Sequence, residues 1–135
     1  MTLFLWFSVG IFGSTGIAVG ALGAHGLEGL GENQLSAFET ATRYHLIHVL
    51  AAAISLILAP RTGRLALAAT SLFLFSIVLF SGSIYMNALT GFNAMLAPFG
   101  GSGFMVAWFL LGWSGCRLER LRKVTVSDGI RPKEI

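Results

Sequence analysis

Charged residues are scarce in this sequence, and their scarcity indicates its class. Lys, Arg, Asp and Glu make up 11% of the 135 residues, hydrophobic residues make up 55%, and the mean hydropathy is +0.77. Soluble domains carry about 25% charged residues, because a surface in contact with water needs them. A chain with so little charge cannot cover such a surface. The composition therefore predicts an integral membrane protein with lipid around most of its length.

Cysteine and nucleic-acid motifs are also nearly absent. Cys116 is the single cysteine, which excludes an internal disulfide and a Cys-x-x-Cys site, so we interpret it as a small apolar residue near a helix end. The net charge is +3 and the pI is about 9.6. Six of the nine basic residues follow Gly115, however, and no aromatic residues alternate with them. We expect no nucleic-acid partner and interpret the basic tail as a topology signal.

Four apolar stretches predict helices near 3–23, 33–59, 65–89 and 95–118. About 20 helical residues cross a hydrocarbon core of about 30 Å. The second stretch is marginal, because its uncharged part begins only at Tyr44. The fold class predicted for residues 1–123 is an all-α membrane protein, a four-transmembrane-helix bundle, with a short tail at 124–135. The first helix lacks a basic n-region and exceeds a usual h-region, so we expect it to be retained rather than cleaved.

The distribution of basic residues predicts the orientation. With four spans, Arg43 lies on one side, and eight basic residues share the other: Arg61, Arg64, Arg117, Arg120, Arg122, Lys123, Arg131 and Lys133. Since Lys and Arg accumulate on the cytoplasmic side, both termini are expected in the cytoplasm. An odd number of spans would divide the two basic clusters. A multi-pass protein of a bacterial inner membrane is the predicted location.

Glycine residues indicate how the first helix packs. At 100° per residue, five of them fall within about 140° of one another: Gly10, Gly13, Gly16, Gly20 and Gly23. A glycine face lets a neighbouring helix approach closely. The last helix has a similar but weaker face of small residues, which consists of Gly103, Ala107 and Gly115. The main interpretation is tight packing inside the bundle, and self-association is the alternative.

The segment from Ala24 to Arg43 is longer than a tight turn. Leu27, Leu30, Leu35 and Phe38 recur among polar residues, which predicts an amphipathic segment along the membrane interface. Asn33 is the predicted N-cap of the second helix. Glu39 and Arg43 are four residues apart, in the order that favours a helical ion pair.

Polar side chains concentrate at one end of the predicted bundle, the end away from the cytoplasm. Because such side chains are expensive in lipid, they form the hypothetical binding site: His25, Glu39, Arg43, Tyr44, His45, His48, Ser81, Ser83, Tyr85, Pro98, Gly100 and Gly101. No catalytic residue is predicted. The cofactor is unknown.

Several of these residues have two interpretations. His25, His45 and His48 are metal or haem ligands if a metal is present, whereas interhelical hydrogen bonding by neutral histidines is the default. Ser81 could be a nucleophile, but no acid orients a base, so a packing serine is favoured. Pro98 indicates either an irregular start to the last helix or an ordinary first turn.

The chain resembles the small membrane proteins of the domain of unknown function 423 family, related to transmembrane protein 256 of eukaryotes. The matching residues lie between about Gly10 and Gly103 and comprise four motifs: Gly20-Ala21-Leu22-Gly23-Ala24-His25-Gly26-Leu27, Glu39-Thr40-Ala41 with Tyr44-His45 and His48, Phe80-Ser81-Gly82-Ser83 with Tyr85, and Pro98-Phe99-Gly100-Gly101. The resemblance implies a four-helix inner or plasma membrane protein and no established activity.

Three functions are compatible with the sequence. The first is a non-enzymatic binding or accessory protein whose polar site, at the non-cytoplasmic end, takes a small molecule, a lipid head group or a partner subunit. The second is a small oligomeric channel or ion-coupled carrier. The third is a histidine-based metal or haem site. The expected partners are the lipid bilayer and either a second copy of the chain or a membrane partner subunit.

Overall fold

The computed structural model of the protein describes residues 2–27 and 29–127. This part of the chain is helical without any strand, which confirms the all-α prediction. The elements are α1 (Thr2–His25), α2 (Glu32–Thr62), α3 (Arg64–Ile77), a π-helical turn (Val78–Gly82), α4 (Ser83–Thr90) and α5 (Ala97–Ser127). The π-helical turn joins α3 and α4 into one continuous helical unit, Arg64–Thr90.

Three helical units are long and apolar enough to cross a membrane: Thr2–His25, Glu32–Thr62 and Arg64–Thr90. Helix α5 is 31 residues long but does not belong to this set. Small, weakly apolar residues lower the hydropathy of its first turns, and basic residues occupy its last turns. The structure therefore contains the helices of the predicted bundle, while a fourth span stays a prediction. Helix α5 also continues past its predicted end near 118, into the first residues of the predicted tail. The rest of the tail lies outside the described residues.

The unit α3–α4 runs antiparallel to α2, and the two form the centre of the molecule. The hydroxyl of Ser81 donates to the carbonyl of Ala41 on α2 across 2.8 Å. Farther along the contact, the hydroxyl of Thr70 is shared between the carbonyl of Ala66 in its own helix, at 3.0 Å, and the carbonyl of Ala52 on α2, at 3.3 Å. Ala52, like several other small residues along this contact, is completely buried. Small side chains let the two backbones approach closely, as at other membrane helix interfaces.

Helices α1 and α5 lie on opposite sides of this central pair. Helix α1 packs mainly on α2, whereas α5 packs on α3, the π-helical turn and α2. Helices α2 and α3 are thus the two helices that touch each other across the middle of the bundle.

The connections define two ends of the molecule. Helix α1 ends and α2 begins at one end, here named the His25 end, where residues 91–96 also connect α4 to α5. At the opposite end, the Arg61 end, Gly63 alone separates α2 from α3. Its φ of 73° lies in the region that favours glycine, so this residue permits the abrupt reversal.

Two predictions for the connection between α1 and α2 are wrong. Helix α2 begins at Glu32 with Gly31 as its N-cap, so Asn33 lies inside the first turn and is not the cap. The backbone N–H of Gly31 instead donates to Oε1 of Gln34 across 3.3 Å. Phe38, predicted on an interfacial surface, has 1% of its area exposed. It is buried because the helix continues unbroken through this segment and turns Phe38 toward α1.

Candidate functional site

Glycines on α1 bring its backbone close to α2 near the His25 end. A Cβ on Gly16 would lie 2.7 Å from Cδ2 of Leu46, and one on Gly20 would lie 3.3 Å from Cγ2 of Thr42. Gly13 and Gly23 face α2 in the same way, but Gly10 has no atom of another element within 4 Å of its Cβ position. The predicted packing face is therefore present from Gly13 onward and does not include Gly10.

His45 uses this close approach to bond directly to the α1 backbone. Its Nε2 lies 2.9 Å from the carbonyl oxygen of Phe12, and its side chain is buried. A carbonyl oxygen can only accept, so Nε2 carries the proton. In the neutral ring, Nδ1 is then an acceptor, and the hydroxyl of Tyr85 lies 3.4 Å from it.

Tyr85 links His45 to Thr42, and Ser81 lies beside it on the same helical unit. The hydroxyl of Tyr85 is also 3.3 Å from Oγ1 of Thr42, whose own proton is donated to the carbonyl of Phe38 across 3.0 Å. Ser81, one turn before Tyr85, is fully buried and bonds to α2 through Ala41. We call Phe12, Thr42, His45, Ser81 and Tyr85 the His45 cluster.

The π-helical turn positions the part of this cluster that comes from the α3–α4 unit. A π turn adds one residue to a helical turn and rotates the residues after it. Ser81 lies within Val78–Gly82 and Tyr85 lies three residues after the end of this turn, and both face α2. Such turns occur frequently at functional sites.

His48 lies on a neighbouring face of α2, in a separate environment. Its Nδ1 donates to the carbonyl of Tyr44 across 2.6 Å, so this ring carries its proton on the opposite nitrogen from His45. The ring stacks on Phe104 of α5 with centroids 3.5 Å apart. Further aromatic rings surround it, and the group forms what we call the aromatic layer: Tyr44, His48, Phe73, Phe80, Phe104 and Trp108.

The three histidines are not brought together. His25 is exposed at the end of α1, nine residues beyond Gly16, which packs on His45, so it lies about 13 Å farther along the helix axis. The rings of His45 and His48 point to different helices. Accordingly, the described residues contain no cluster of three or more His, Cys, Asp or Glu side chains suited to holding a metal ion.

A groove of about 320 Å³ opens at the His25 end between α1 and α2. We call it the Arg43 groove; its lining is Gly20, Gly23, Ala24, Phe38, Glu39, Thr42 and Arg43. Glu39 and Arg43 form the predicted i,i+4 ion pair, with 3.7 Å between Oε2 and Nη2 and with both side chains more than half exposed. Thr42 also belongs to the His45 cluster, so the groove opens directly onto that cluster.

The remaining residues of the predicted site contribute to a hydrogen bond within one helix, to a helix start or to a contact between helices. Ser83 donates to the carbonyl of Phe80 across 3.0 Å, a bond within its own helix. Pro98 lies in the first turn of α5, as the ordinary helix-start interpretation predicts. Gly100 and Gly101 face Phe80, and a Cβ on Gly100 would lie 2.7 Å from Cβ of Phe80.

Thr42, Gly20 and the carbonyl of Phe12 were not part of the predicted site. A main-chain carbonyl has no sequence signature. The four-residue spacing of Phe38 and Thr42 did contain a signal, because it places Thr42 on the face of α2 that carries Phe38.

Comparison with known proteins identifies relatives that are named as membrane proteins. The family model described as "Protein of unknown function (DUF423)" matches residues 19–101. The UPF0382 membrane protein YwdK of Bacillus subtilis is 33% identical over 100 residues, which cover 70% of this chain and 81% of that protein. A UPF0382 membrane protein of Haemophilus influenzae is 32% identical over 108 residues, or 78% and 87% of the two chains.

Relatives from staphylococci match this chain with comparable identity and coverage. The UPF0382 membrane protein SSP2132 of Staphylococcus saprophyticus is 39% identical over 98 residues, covering 70% of this chain and 82% of its own. No solved structure matches the chain. The match to the family model includes α2, the π-helical turn and the groove between α1 and α2, and the chain belongs to the DUF423 family of membrane proteins.

Proposed function

We propose that the protein is a non-enzymatic integral membrane protein that binds a zwitterionic head group in the Arg43 groove. The observation that carries the proposal is the position of the groove between an exposed ion pair and a buried hydrogen-bonded cluster. Phe38 and the glycines of α1 provide an apolar wall, and Thr42 provides a polar floor. Ligand sites commonly combine an apolar lining with a few fixed polar groups.

The charges at the rim define the ligand class. Glu39 and Arg43 offer one negative and one positive group on successive turns of α2. Exposed ion pairs of this kind contribute about 0–1 kcal/mol, so exchanging their mutual contact for a ligand costs little. A phosphate beside Arg43 and an ammonium beside Glu39 would satisfy both. This is the charge pattern of phosphoethanolamine, either as a lipid head group or as a free solute.

The hydrogen bonds of the His45 cluster favour binding over ion conduction or catalysis. The proton on Nε2 of His45 is directed at a backbone carbonyl, which cannot pass a proton onward. The hydroxyl of Ser81 is engaged with the carbonyl of Ala41 and so is not shared with a base. The direct contact of α2 with α3 also favours neither a pore within one chain nor a carrier pathway between these helices.

The topology proposed is four spans with both termini in the cytoplasm of a bacterial cell. Helix α5 packs on α3, the π-helical turn and α2, and its 31 residues extend about 46 Å, more than a bilayer core requires. In this orientation, the Arg61 end carries the basic residues that accumulate on the cytoplasmic side. The Arg43 groove then opens on the outer side of the inner membrane.

The experiment is native mass spectrometry of the purified protein in mild detergent, with dioleoylphosphatidylethanolamine and free phosphoethanolamine as probes. We expect one tightly retained phosphatidylethanolamine. Ala24→Leu should block the groove and Arg43→Gln should remove the phosphate contact, each weakening retention several-fold.

Ala21→Leu is the matched control, because Ala21 is an exposed alanine on the same helix outside the groove lining. Equal binding of the free solute would identify a solute site, and binding of the lipid alone would identify a lipid site. Wild-type protein that retains neither probe would refute the proposal, as would equal losses in Ala24→Leu and Ala21→Leu.

A further inference from the structure

Helix α5 has a solvent- or lipid-facing side directly opposite its packing side. Its packing side consists of buried residues at helical spacing, Phe104, Ala107, Leu111 and Ser114. The opposite side carries a groove of about 610 Å³, here named the Arg120 groove. Its lining is Trp108, Phe109, Gly112, Trp113, Cys116, Arg117 and Arg120. None of these residues belongs to the His45 cluster or the Arg43 groove, and Trp108, at one edge of the groove, is shared with the aromatic layer.

The apolar part of the Arg120 groove has a gap between large side chains. Phe109 and Trp113 are 81% and 70% exposed, while Gly112 between them has no side chain and no atom of another element within 4 Å of its Cβ position. From Trp108 to Arg120 the groove extends about 18 Å, since each helical residue adds about 1.5 Å. Half of a bilayer core is about 15 Å thick, so the groove has the length of an acyl chain in one leaflet.

The other part of the groove is basic. Arg117 and Arg120 are three residues apart and lie on neighbouring turns, and exposed Lys123 continues the same side of the helix one turn later. The nearest acidic residue, Glu119, pairs instead with Arg122, with 3.9 Å between Oε1 and Nη1. Three cations therefore share one side, and the acid beside them has its own partner.

We propose that the Arg120 groove binds an anionic phospholipid, with an acyl chain along Gly112 and Trp113 and the phosphate between Arg117 and Arg120. Charge complementarity selects this occupant. A single apolar groove that ends in paired arginines matches the polarity of a lipid from tail to phosphate, and clusters of basic residues at the membrane surface bind anionic head groups. An apolar partner helix would leave the three cations without counter-charges. The site is independent of the Arg43 groove, which lies at the opposite end and selects a zwitterion.

Tryptophan fluorescence provides a direct test, because Trp108 and Trp113 line the groove. Trp6→Phe removes the remaining tryptophan, and this variant is reconstituted in phosphatidylcholine vesicles with a small fraction of brominated phosphatidylglycerol or brominated phosphatidylcholine. We expect phosphatidylglycerol to quench with an apparent affinity at least fivefold higher. One cation near an anionic lipid contributes a factor of about five, equivalent to roughly 1 kcal/mol. In Arg117→Gln/Arg120→Gln, the preference should fall to about one.

Arg61→Gln/Arg64→Gln is the matched control, because it removes the same charge at the same end without altering the groove lining. It should keep the wild-type preference, and circular dichroism should show that both double variants are folded. Equal quenching by the two brominated lipids in the parent would refute the proposal. So would an equal loss of preference in the control, since general surface charge would then explain it. A dimer linked through Cys116, with Trp113 protected from both lipids, would refute it by showing that a second copy covers the groove.

Discussion

Nε2 of His45 donates a hydrogen bond to the carbonyl oxygen of Phe12 across 2.9 Å, and this bond joins α2 directly to the backbone of α1. The side chain of His45 reaches that carbonyl because Gly16, one turn after Phe12, has no Cβ to separate the helices. The bond matters because α1 is the least buried of the three candidate spans. Few other polar contacts hold it.

His45→Phe should weaken the attachment of α1. The substitution keeps an aromatic ring but removes the donor to Phe12 and the acceptor near Tyr85. Interhelical hydrogen bonds in membranes contribute about 0.6–1.7 kcal/mol, so we expect a loss of about 1–2 kcal/mol, measured as the unfolding midpoint in a detergent titration. His25→Phe is the control and should leave the midpoint unchanged, because His25 is exposed. Equal effects of the two substitutions would contradict the assigned role of His45.

Gly16→Ala and Gly10→Ala should differ in sign. A Cβ at Gly16 meets Leu46 at 2.7 Å and Cδ2 of His45 at 3.3 Å, so α1 or these side chains must move. We expect a destabilisation of about 1–3 kcal/mol, as for other overpacked contacts. Gly10 has open space, and the higher helix propensity of alanine should leave stability unchanged or increase it by up to about 1 kcal/mol. Thermal unfolding of the purified variants measures both. A destabilised Gly10→Ala protein would mean that another helix, or a second copy, packs on that face.

Gly100→Ala should be more damaging than Gly16→Ala. Its Cβ would overlap main-chain atoms of Phe80, including Cα at 2.8 Å, and a backbone cannot rotate aside as a side chain can. Separation of α5 from the π-helical turn is the expected result, with a loss of more than about 2 kcal/mol. Gly115→Ala, on an open part of the same helix, should be neutral. Size-exclusion elution and unfolding midpoints distinguish the two outcomes, and a stable, monodisperse Gly100→Ala protein would refute this close contact.

The proposed topology predicts where reporters are active. A fluorescent protein fused after Ile135 should fluoresce in the cytoplasm, and alkaline phosphatase inserted near Glu32 should be active outside it, because the positive-inside bias places the Arg61 end in the cytoplasm. Activity of both reporters on the same side would exclude four spans with this orientation.

Helix packing could be predicted where it depends on spacing alone. The glycine face of α1 was predicted from a period of 3.6 residues and is present from Gly13 to Gly23. The ion pair of Glu39 and Arg43 follows from the same geometry. The i,i+3 spacing of His45 and His48 predicted neighbouring faces of one helix. It could not predict that one ring bonds to α1 while the other stacks on α5.

What could not be predicted depends on contacts between segments distant in the sequence. The π-helical turn at Val78–Gly82 has no local signal, and its effect is known only once Ser81 and Tyr85 are seen against α2. Phe38 was placed on a surface because its neighbours are polar. The partner that buries it, Gly23, lies on the preceding helix. The position of the α2–α3 pair between α1 and α5 likewise depends on which small residues contact each other. Hydropathy alone does not predict those contacts.

The one-residue link at Gly63 affects how the protein assembles. Because α2 and α3 are joined so tightly and bury small side chains against each other, they can insert and associate as a helical hairpin before α5 has been synthesised. Helices α1 and α5 then attach to opposite flanks of that hairpin and share little surface. Damage to one flank should therefore leave the other flank attached to the hairpin.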